Sequence, residues 1–319
     1  MAWQQIFSIA NNEIRLIVRE KTFLMLLFVF FLMTFFSAYI GWSTNTIVLK
    51  VYQASVDFLK LSGITHLPPD PFINIPPLSI FKNMIIYVFL IGALMAIVLG
   101  HRSFIRERKT GVVQLLFSKQ VSRNNYIVGK ILGISSLLFI LVGITFILSL
   151  ISSFFIPHVH LSIIEIEKLS IFYLISLVYL TTFALIAFIF GVILPDESLA
   201  LFAPILFWVV VTFILPELTT GQNPVALLNP TNISQNTIQG TFFTTMHKLL
   251  FPVSIEQHFV GIAQPLLETQ PSFQKLDVIQ ALSSNSIFIV LIIFYLLIAI
   301  ILSYFALRNY SVSKDKMYA

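Results

Sequence analysis

The chain of 319 residues is too apolar to be a soluble globular protein. Hydrophobic residues make up 57% of it, charged residues make up 10%, and its mean hydropathy is +0.93, whereas soluble domains carry about 25% charged residues. It contains no cysteine, which excludes a disulfide framework, an iron–sulfur site and a cysteine-ligated zinc site. The apolar residues must face lipid, so the composition predicts an all-α polytopic membrane protein.

An amphipathic helix is predicted over residues 1–21. Its apolar residues recur at spacings of three and four, as in helices that lie in a membrane interface; they are Trp3, Ile6, Phe7, Ala10, Ile14 and Ile17. Charged side chains such as Glu13, Arg15 and Arg19 fall mostly outside that stripe. We therefore predict an interfacial helix on the inner membrane surface; the alternative is a cytoplasmic extension of the first span.

The remainder of the chain, 22–319, is predicted to form one transmembrane domain. A spanning helix needs about 20 mostly apolar residues, and six stretches reach or approach this length. They are Thr22–Trp42, Ile80–Gly100, Ile131–Ile156, Leu169–Leu194, Leu199–Leu215 and Ser286–Leu307. The fifth stretch is short and contains Pro204, but Pro195 and Pro216 bracket it as its ends.

The charge distribution orients these spans. With the N-terminus in the cytoplasm, the cytoplasmic segments hold 13 basic and 6 acidic residues, a net charge of +7, and the outside segments hold 6 basic and 8 acidic residues, a net charge of −2. Such a basic excess is typical of cytoplasmic loops. We expect both termini in the cytoplasm and the chain in the inner (cytoplasmic) membrane, with its basic residues contacting anionic lipid and not nucleic acid.

Two predicted outside loops, 43–79 and 216–285, are long and contain proline-rich steps such as Leu67–Pro71. Loops of this length are usually functional or disordered. Their aromatic and aliphatic content predicts packed structure, in the form of short helices resting on the outer membrane surface.

The apolar centres of the six spans contain no ionisable side chain. Ion-coupled carriers and proton pumps need such groups near the middle of the membrane, so the sequence argues against both classes. The chain also lacks the glycine-rich phosphate-binding loop of many ATPases, because Gly129-Lys130 has no glycine at the upstream position of that motif. We expect no cofactor on this chain, with ATP and Mg²⁺ on a partner.

The histidines His158 and His160 are the one weak candidate for a metal site. On an extended strand they would point the same way, with Glu165 and Glu167 nearby. The commoner reading is a pair of interfacial histidines in a short loop. The sequence assigns no catalytic residue.

The cytoplasmic connection between the second and third spans, residues 101–130, carries the functional signal. A charged cluster from Arg106 to Lys109 precedes Thr110-Gly111, and the apolar run Val112–Phe117 that follows is too short to cross a membrane. An apolar run left bare in the cytosol usually marks a docking surface. The alternative is an ordinary basic loop that binds anionic lipid.

This connection resembles the coupling region of the type-two ATP-binding-cassette (ABC) permeases. In that family an acidic residue ends the second span, a glycine turn leads into a short coupling helix, and a Val-Ser-Arg step precedes a Gly-Lys entry into the third span. The matching residues here are Glu107, Gly111, Leu115, Leu116, Ser118, Val121, Ser122, Arg123, Gly129 and Lys130. Gln120 stands where the family often has proline. Within the family, the chain is similar to a subgroup with an enlarged first outside loop, which includes the permease of the nitrous-oxide-reductase copper-maturation transporter.

The resemblance implies both partners and residue roles. The short helix would sit in a groove of a separate ABC ATPase subunit, anchored by Leu115 and Leu116 and oriented by Arg106, Glu107 and Arg108. Two permease copies, identical or closely related, would work with two ATPases. An extracytoplasmic accessory protein is a further candidate partner, and the substrate stays open.

Small residues predict close packing between helices. Gly92, Ala96 and Gly100 share a face of the second span, and Gly129 and Gly133 form a GxxxG motif at the start of the third. They could act within one chain or between two.

Two other functions stay open at the level of sequence. The first is a membrane-bound lipid- or glycan-modifying enzyme, and the second is a structural anchor for an extracytoplasmic partner. Activity of the chain without any ATPase would favour the enzyme.

Overall fold

The computed structural model describes residues 2–63, 66–73, 75–118, 122–157, 159–220, 240–273 and 276–310, and the regular secondary structure of these residues is helical. In chain order the helices are α1 (Ala2–Arg19), α2 (Thr22–Leu61), α3 (Pro77–Lys109), α4 (Val112–Ser118), α5 (Arg123–Ser153), α6 (Ile163–Ile193), α7 (Glu197–Thr219), α8 (Gly240–Leu250), α9 (Ile255–Leu266), α10 (Val278–Ser283) and α11 (Ser286–Arg308).

Six of these helices, α2, α3, α5, α6, α7 and α11, are long and apolar enough to cross a membrane. This confirms the predicted all-α polytopic fold. Each overlaps one of the six predicted stretches, including the short fifth one, where Pro204 lies inside α7. We call the end of the bundle that holds α1, α4 and the last turn of α11 the cytoplasmic end, following the charge distribution, and the opposite end the outer end.

The first predicted outside segment, 43–79, differs from expectation in form, because α2 continues without a break to Leu61 where short helices were expected. A helix of 40 residues is about 60 Å long at 1.5 Å per residue, roughly twice the hydrocarbon thickness of a bilayer. Neither glycine nor proline occurs between Trp42 and Leu61, so nothing in the local sequence stops the helix. It ends just before Gly63, whose φ is +72°.

The second predicted outside loop, 216–285, also departs from expectation. It contains short helices, α8 to α10, as predicted, while residues 221–239 lie outside the described part of the chain. However, α9 does not rest on an outer surface. It packs against α6, α7 and α11, and all but one of its residues are buried.

The most buried span is α6, and it forms the centre of the bundle. It packs against α3, α5, α7, α9 and α11. Its inward side chains are large aromatics such as Phe172, Tyr179, Phe183 and Phe188, all fully buried. The spans α2 and α11 lie at the periphery and expose many phenylalanine, leucine and isoleucine side chains, as expected of surfaces that face lipid.

The N-terminal helix α1 packs along the first turns of α5. Its buried face consists of Ala10, Glu13 and Ile17, whereas Trp3 is 79% and Phe7 is 74% exposed. The predicted stripe therefore divides into a face turned to the bundle and a pair of aromatic side chains turned away from it. The placement of Glu13 outside the stripe was wrong, because it lies at the centre of the buried face.

Candidate coupling site at the cytoplasmic end

The turn between α3 and α4 depends on Gly111. Its φ of +69° lies in the left-handed region, which glycine adopts without steric penalty and other residues adopt rarely. Its amide donates to the carbonyl of Arg108 (3.2 Å), and its carbonyl accepts from the amide of Leu115 (3.2 Å). A Cβ added here would meet none of the described atoms within 4 Å, so glycine is required for backbone conformation and not for space.

The short helix α4 has a buried side and an exposed side. Val113 is buried in the bundle core, and Leu116 is half-buried against it. Leu115 is 61% exposed. The structure thus separates the two predicted anchors, since of the two only Leu115 is exposed. The side chain of Ser118 and the whole of Val121 lie outside the described residues.

A buried ion cluster beside this turn joins three helices. The Lys130 side chain of α5 is 0% exposed, and its ammonium donates to Glu13 of α1 (2.5 Å), to Glu107 of α3 (2.7 Å) and to the carbonyl of Ser103 (2.9 Å). The hydroxyl of Tyr126 donates to the other carboxylate oxygen of Glu107. Burying a charge is unfavourable unless it is paired and hydrogen-bonded. These contacts therefore fix α1, α3 and α5 relative to one another.

Arg106 completes the charge balance of the cluster. Its guanidinium donates to Glu13 at 3.0 Å and approaches Glu20, at the end of α1, at 3.5 Å. Inside the cluster, the carboxylates of Glu13 and Glu107 face the two cations Lys130 and Arg106, which avoids the penalty of an isolated buried ion. Arg106 and Glu107, the residues expected to orient the short helix, thus contact other helices of the same chain.

Arg108, the third of these orienting residues, caps the cytoplasmic end of α6. Its guanidinium donates to the carbonyls of Gly191 (3.1 Å), Leu194 (2.7 Å) and Pro195 (2.6 Å). The last carbonyls of a helix have no partner within the helix, and the helix dipole adds partial negative charge there. The Arg108 guanidinium donates to these carbonyls, and its positive charge complements the helix dipole. Arg108 therefore links the end of α3 to the end of α6.

Arg123 makes a similar contact on the other side of α4. It begins α5 and donates to the carbonyls of Arg308 (3.0 Å) and Tyr310 (3.3 Å) at the end of α11. The ring of Tyr310 packs edge-to-face on Phe104 of α3, with centroids 5.3 Å apart. Two arginines, Arg108 and Arg123, therefore bracket α4, and each holds the cytoplasmic end of another span.

The small-residue face of α3 packs against α6 of the same chain. A Cβ added at Gly100 would lie only 1.8 Å from the carbonyl oxygen of Ala184, so the two backbones are in contact. Gly92 faces Leu180 at 3.1 Å, and Ala96 between the two glycines is buried. This is the close approach that small residues permit, and it lies within one subunit.

The GxxxG motif of α5 packs against α1. A Cβ added at Gly129 would lie 2.8 Å from Ile9, and one added at Gly133 would lie 2.8 Å from the Cβ of Glu13. The missing side chains let α1 approach α5 closely enough for Glu13 to reach Lys130. The motif therefore serves the contact that builds the ion cluster within this chain.

Sequence reasoning missed Glu13 and Tyr126 as members of the site, and it named Lys130 only as part of a motif. A signal for Glu13 does exist, because it falls in register with Ile6, Ala10 and Ile17 on one helical face. An acid inside an apolar stripe indicates a buried partner of opposite charge. Which of the 19 lysines and arginines supplies that charge is decided by packing.

Only one histidine of the predicted pair belongs to the described part of the chain. His158 lies outside the described residues, and His160 is exposed. Glu165 closes a capping box with Ser162 at the start of α6, which satisfies backbone amides of the first turn. No group of three or more metal-ligating side chains occurs among the described residues.

Ionisable side chains are also buried toward the outer end, on or beside α9. Glu268 pairs with Lys168 of α6 at 2.7 Å; burial raises the pKa of Glu268, and the bond to Lys168 opposes that shift. Glu256 is 3% exposed, and burial raises its pKa to about 8. Burial lowers the pKa of His258. Their segment was expected at the outer surface, so sequence analysis did not place these groups inside the bundle.

The sequence profile described as "ABC-2 family transporter protein" matches residues 7–312. The chain belongs to the ABC-2 transporter family. The matched residues of this ABC-2 family member include α1 after its first turn, all six transmembrane helices and the connection that contains α4. As an ABC-2 permease, the chain is a multi-pass membrane subunit of an ABC transporter, and its family implies an ABC ATPase as partner. No curated protein matches the chain.

Proposed function

We propose that an ABC ATPase subunit binds α4 and, by moving it, drives this permease to perform export or other conformational work across the cytoplasmic (inner) membrane. The observation that carries the proposal is the exposed Leu115 on a helix whose opposite side, through Val113, belongs to the bundle core. ATP and Mg²⁺ act on the partner, and this chain is non-catalytic.

The contacts around α4 give a physical route for transmitting its movement. The turn at Gly111 joins α4 to α3, and the cluster around Lys130 joins α3 to α1 and α5. Separating the members of that cluster would leave charges buried and unpaired, which is strongly unfavourable. Arg108 and Arg123 extend the connection to α6 and α11. A displaced α4 is therefore expected to move these helices together.

The first test is co-purification of the ATPase with the permease in mild detergent. Leu115→Asp should weaken the association by roughly 10- to 100-fold, because burying a leucine contributes about 1.5–3 kcal/mol. The matched control is Leu249→Asp, since Leu249 is also exposed but lies on α8 in the outer segment. Undiminished association of the Leu115→Asp variant would contradict the proposed contact.

The second test separates binding from transmission. Glu107→Gln keeps the shape of the side chain but removes one charge of the buried cluster, so the ATPase should still bind while ATP-driven movement of the spans is lost. Because the chain has no cysteine, a single cysteine at Ile287, exposed at the outer end of α11, reports that movement by its rate of labelling. The control is Glu197→Gln in an exposed ion pair. An ATP-dependent labelling change that persists in Glu107→Gln would refute transmission through the cluster.

We further propose that the permease works as a pair and that the outer part of α2 contributes to the contact between copies. Five exposed side chains recur there at spacings of four, three, four and three residues, which is the stripe of a coiled coil; they are Ile47, Val51, Ala54, Phe58 and Leu61. Two copies inserted with the same orientation would align this stripe in parallel, each facing its own equivalent.

Cysteine cross-linking tests this contact in native membranes. Ala54→Cys should form a disulfide between copies, whereas Gln53→Cys, which is also exposed but lies off the stripe, should not. Equal cross-linking at both positions, or none at position 54, would rule out this interface. The projection of α2 beyond the bilayer also supports membership of the subgroup with an enlarged outer region, and it gives an extracytoplasmic accessory protein a surface to bind.

A further inference from the structure

Helix α9 lies inside the bundle although it belongs to the segment between α7 and α11. All but one of its 12 residues are buried. Phe259 stacks on Tyr179 of α6 with ring centroids 4.6 Å apart, and Gln257 donates to the hydroxyl of Thr219 near the outer end of α7 (3.0 Å). The outer segment thus inserts a helix between three spans.

The first turn of α9 lies below the outer ends of α6 and α11 and beside the outer end of α7, where Gln257 bonds Thr219. Tyr295 of α11 donates to the carbonyl of Pro252 and stacks on His258; it is about nine residues, or roughly 14 Å, from the outer end of its helix at 1.5 Å per residue. Tyr179 is roughly 24 Å from the outer end of α6 by the same measure. The start of α9 therefore occupies the outer half of the bundle.

Glu256 sits in this first turn, and no described residue supplies it with a counter-charge. Its side chain is buried, and no described residue forms a hydrogen bond or ion pair with its carboxyl group. An ionised carboxylate in such a position is far less stable than in water. Protonation removes that penalty, because a neutral carboxyl group is far less costly to bury.

The surroundings of Glu256 combine polar groups with helix distortions. The hydroxyl of Tyr179 interacts electrostatically with Glu256 and donates to the carbonyl of Phe89 (3.4 Å), which also accepts from the indole of Trp208 (3.2 Å). Phe89 lies in a π-helical segment of α3, and Thr212, with a buried hydroxyl, lies in another in α7. Such π-helical turns are frequent at functional sites.

No other charged group faces Glu256 from the described elements that pack against α9. On α6, Lys168 is held by Glu268, at the far end of α9, and on α11 Tyr295 contacts His258. Glu217, near the outer end of α7, is itself an acid and supplies no counter-charge to Glu256. The described residues of α10 and of the π-helical segment of α7 carry no titratable side chain. A metal ion such as Ca²⁺ would need six to eight oxygen ligands, and no cluster of metal-ligating side chains is present among the described residues.

We propose that Glu256 is a proton-binding site in the outer half of the bundle, which holds a proton while α9 is seated and releases it when α9 moves outward. On release, the carboxyl O–H bond breaks, the proton passes to water at the outer end, and the carboxylate gains a hydration shell. When α9 returns to its seated position, the carboxylate of Glu256 binds a proton again. This site does not depend on the proposed ATPase coupling, since it uses only residues of this chain.

The two ends of α9 differ in a way that suits this exchange. Beyond the C-terminal end, Glu268 is fixed by its ion pair with Lys168 and by the amide of Leu78 (3.4 Å). At the N-terminal end, Glu256 lacks any such partner among the described residues. The carboxyl group at the N-terminal end therefore responds to pH, while the ion pair at the other end keeps the helix attached to the bundle.

Infrared spectroscopy tests the protonation state directly. The chain is produced with ¹³C-labelled glutamate, purified and reconstituted in lipid. It should show the C=O stretch of a protonated carboxyl at pH 7. This band should disappear with a midpoint near pH 8, the value to which burial raises the pKa of Glu256. Glu256→Gln should remove the band. Absence of the band at pH 7, or its persistence in Glu256→Gln, would overturn the proposal. The wild-type measurement decides the question even when the variant does not fold.

Cysteine labelling tests the link to movement of α9. Val260, buried on α9, is replaced by cysteine in the cysteine-free chain, and the thiol is labelled with a membrane-impermeant maleimide. The labelling rate is divided by the labelling rate of an exposed Gln53→Cys control, which removes the pH dependence of the thiol itself. The ratio should rise by up to about tenfold for each pH unit between the ordinary pKa of a glutamate carboxyl and the midpoint near pH 8, level off above that midpoint, and stay flat in Glu256→Gln. The same rise in Glu256→Gln would show that another group controls α9.

Discussion

Replacing Lys130 with methionine removes the cation at the centre of the buried cluster. The ammonium bonds three oxygen atoms at 2.5 to 2.9 Å, and methionine fills the same space with a flexible apolar chain. Glu13 keeps Arg106 at 3.0 Å, but Glu107 loses the one cation paired with it among the described residues. Removing one partner of a buried ion pair costs about 3–5 kcal/mol, so Lys130→Met should lower the free energy of unfolding by about that amount.

The chain offers a matched control for this substitution. Lys109 pairs with Glu197 at 2.5 Å, a distance equal to that between Lys130 and Glu13, but the two side chains are 60% and 46% exposed. An exposed pair of this kind contributes about 1 kcal/mol or less. Lys109→Met should therefore leave the free energy of unfolding nearly unchanged.

The assay is a denaturation series in mixed micelles with increasing SDS, followed by circular dichroism of the helices. The double variant Lys130→Met with Glu107→Met should recover part of the lost stability, because it replaces the pair by apolar side chains instead of leaving one charge unpaired. If Lys130→Met unfolds within about 1 kcal/mol of the Lys109→Met variant, the low-dielectric cluster inferred here is refuted, since water must then reach these charges in the folded protein.

Two further predictions concern glycines and use the same denaturation assay or the ATPase complex. Gly100→Ala should destabilise the bundle by more than about 3 kcal/mol, because the added Cβ meets a backbone oxygen of α6 at 1.8 Å and overpacking forces the helices apart. The control is Gly143→Ala, where the described neighbours leave open space. This control should stabilise the bundle by up to about 1 kcal/mol, because alanine has a higher helix propensity than glycine. Gly111→Ala should cost about 1–2 kcal/mol through its positive φ and reduce ATP-driven movement of the spans, whereas Gly63→Ala carries the same strain at the outer end of α2 and should leave that movement unchanged.

The departures of the two outer segments from the sequence prediction have a common physical origin. Hydropathy measures whether a segment prefers lipid, and it does not report where a helix ends. The first outer segment becomes polar after Trp42, yet α2 continues to Leu61 because no residue in between stops it. In the second, α9 is only moderately apolar, and it is buried because α6, α7 and α11 leave a space that its residues fill.

The candidate site was predicted in part, for reasons that can be traced to particular residues. Gly111 and the apolar run after it could be recognised because a glycine turn and a short helix are local features. The role of Arg108 could not, because its acceptors are carbonyls at and just beyond the end of α6, more than 80 positions away along the chain. Backbone acceptors leave no mark on the sequence, so nothing in residues 101–130 indicates them.

Membrane residence, the number of spans and the location of the connection around α4 were determined by the sequence alone, because apolar length, charge asymmetry and a short helix after a glycine are properties of neighbouring residues. The tertiary structure alone decided that Glu13 and Lys130, 117 positions apart, form one ion cluster and that Glu256 is buried without a partner in the described part of the chain. Both results depend on how closely helices approach. That approach is governed by side-chain volume at positions such as Gly129 and Gly133, where a missing Cβ brings α1 onto α5.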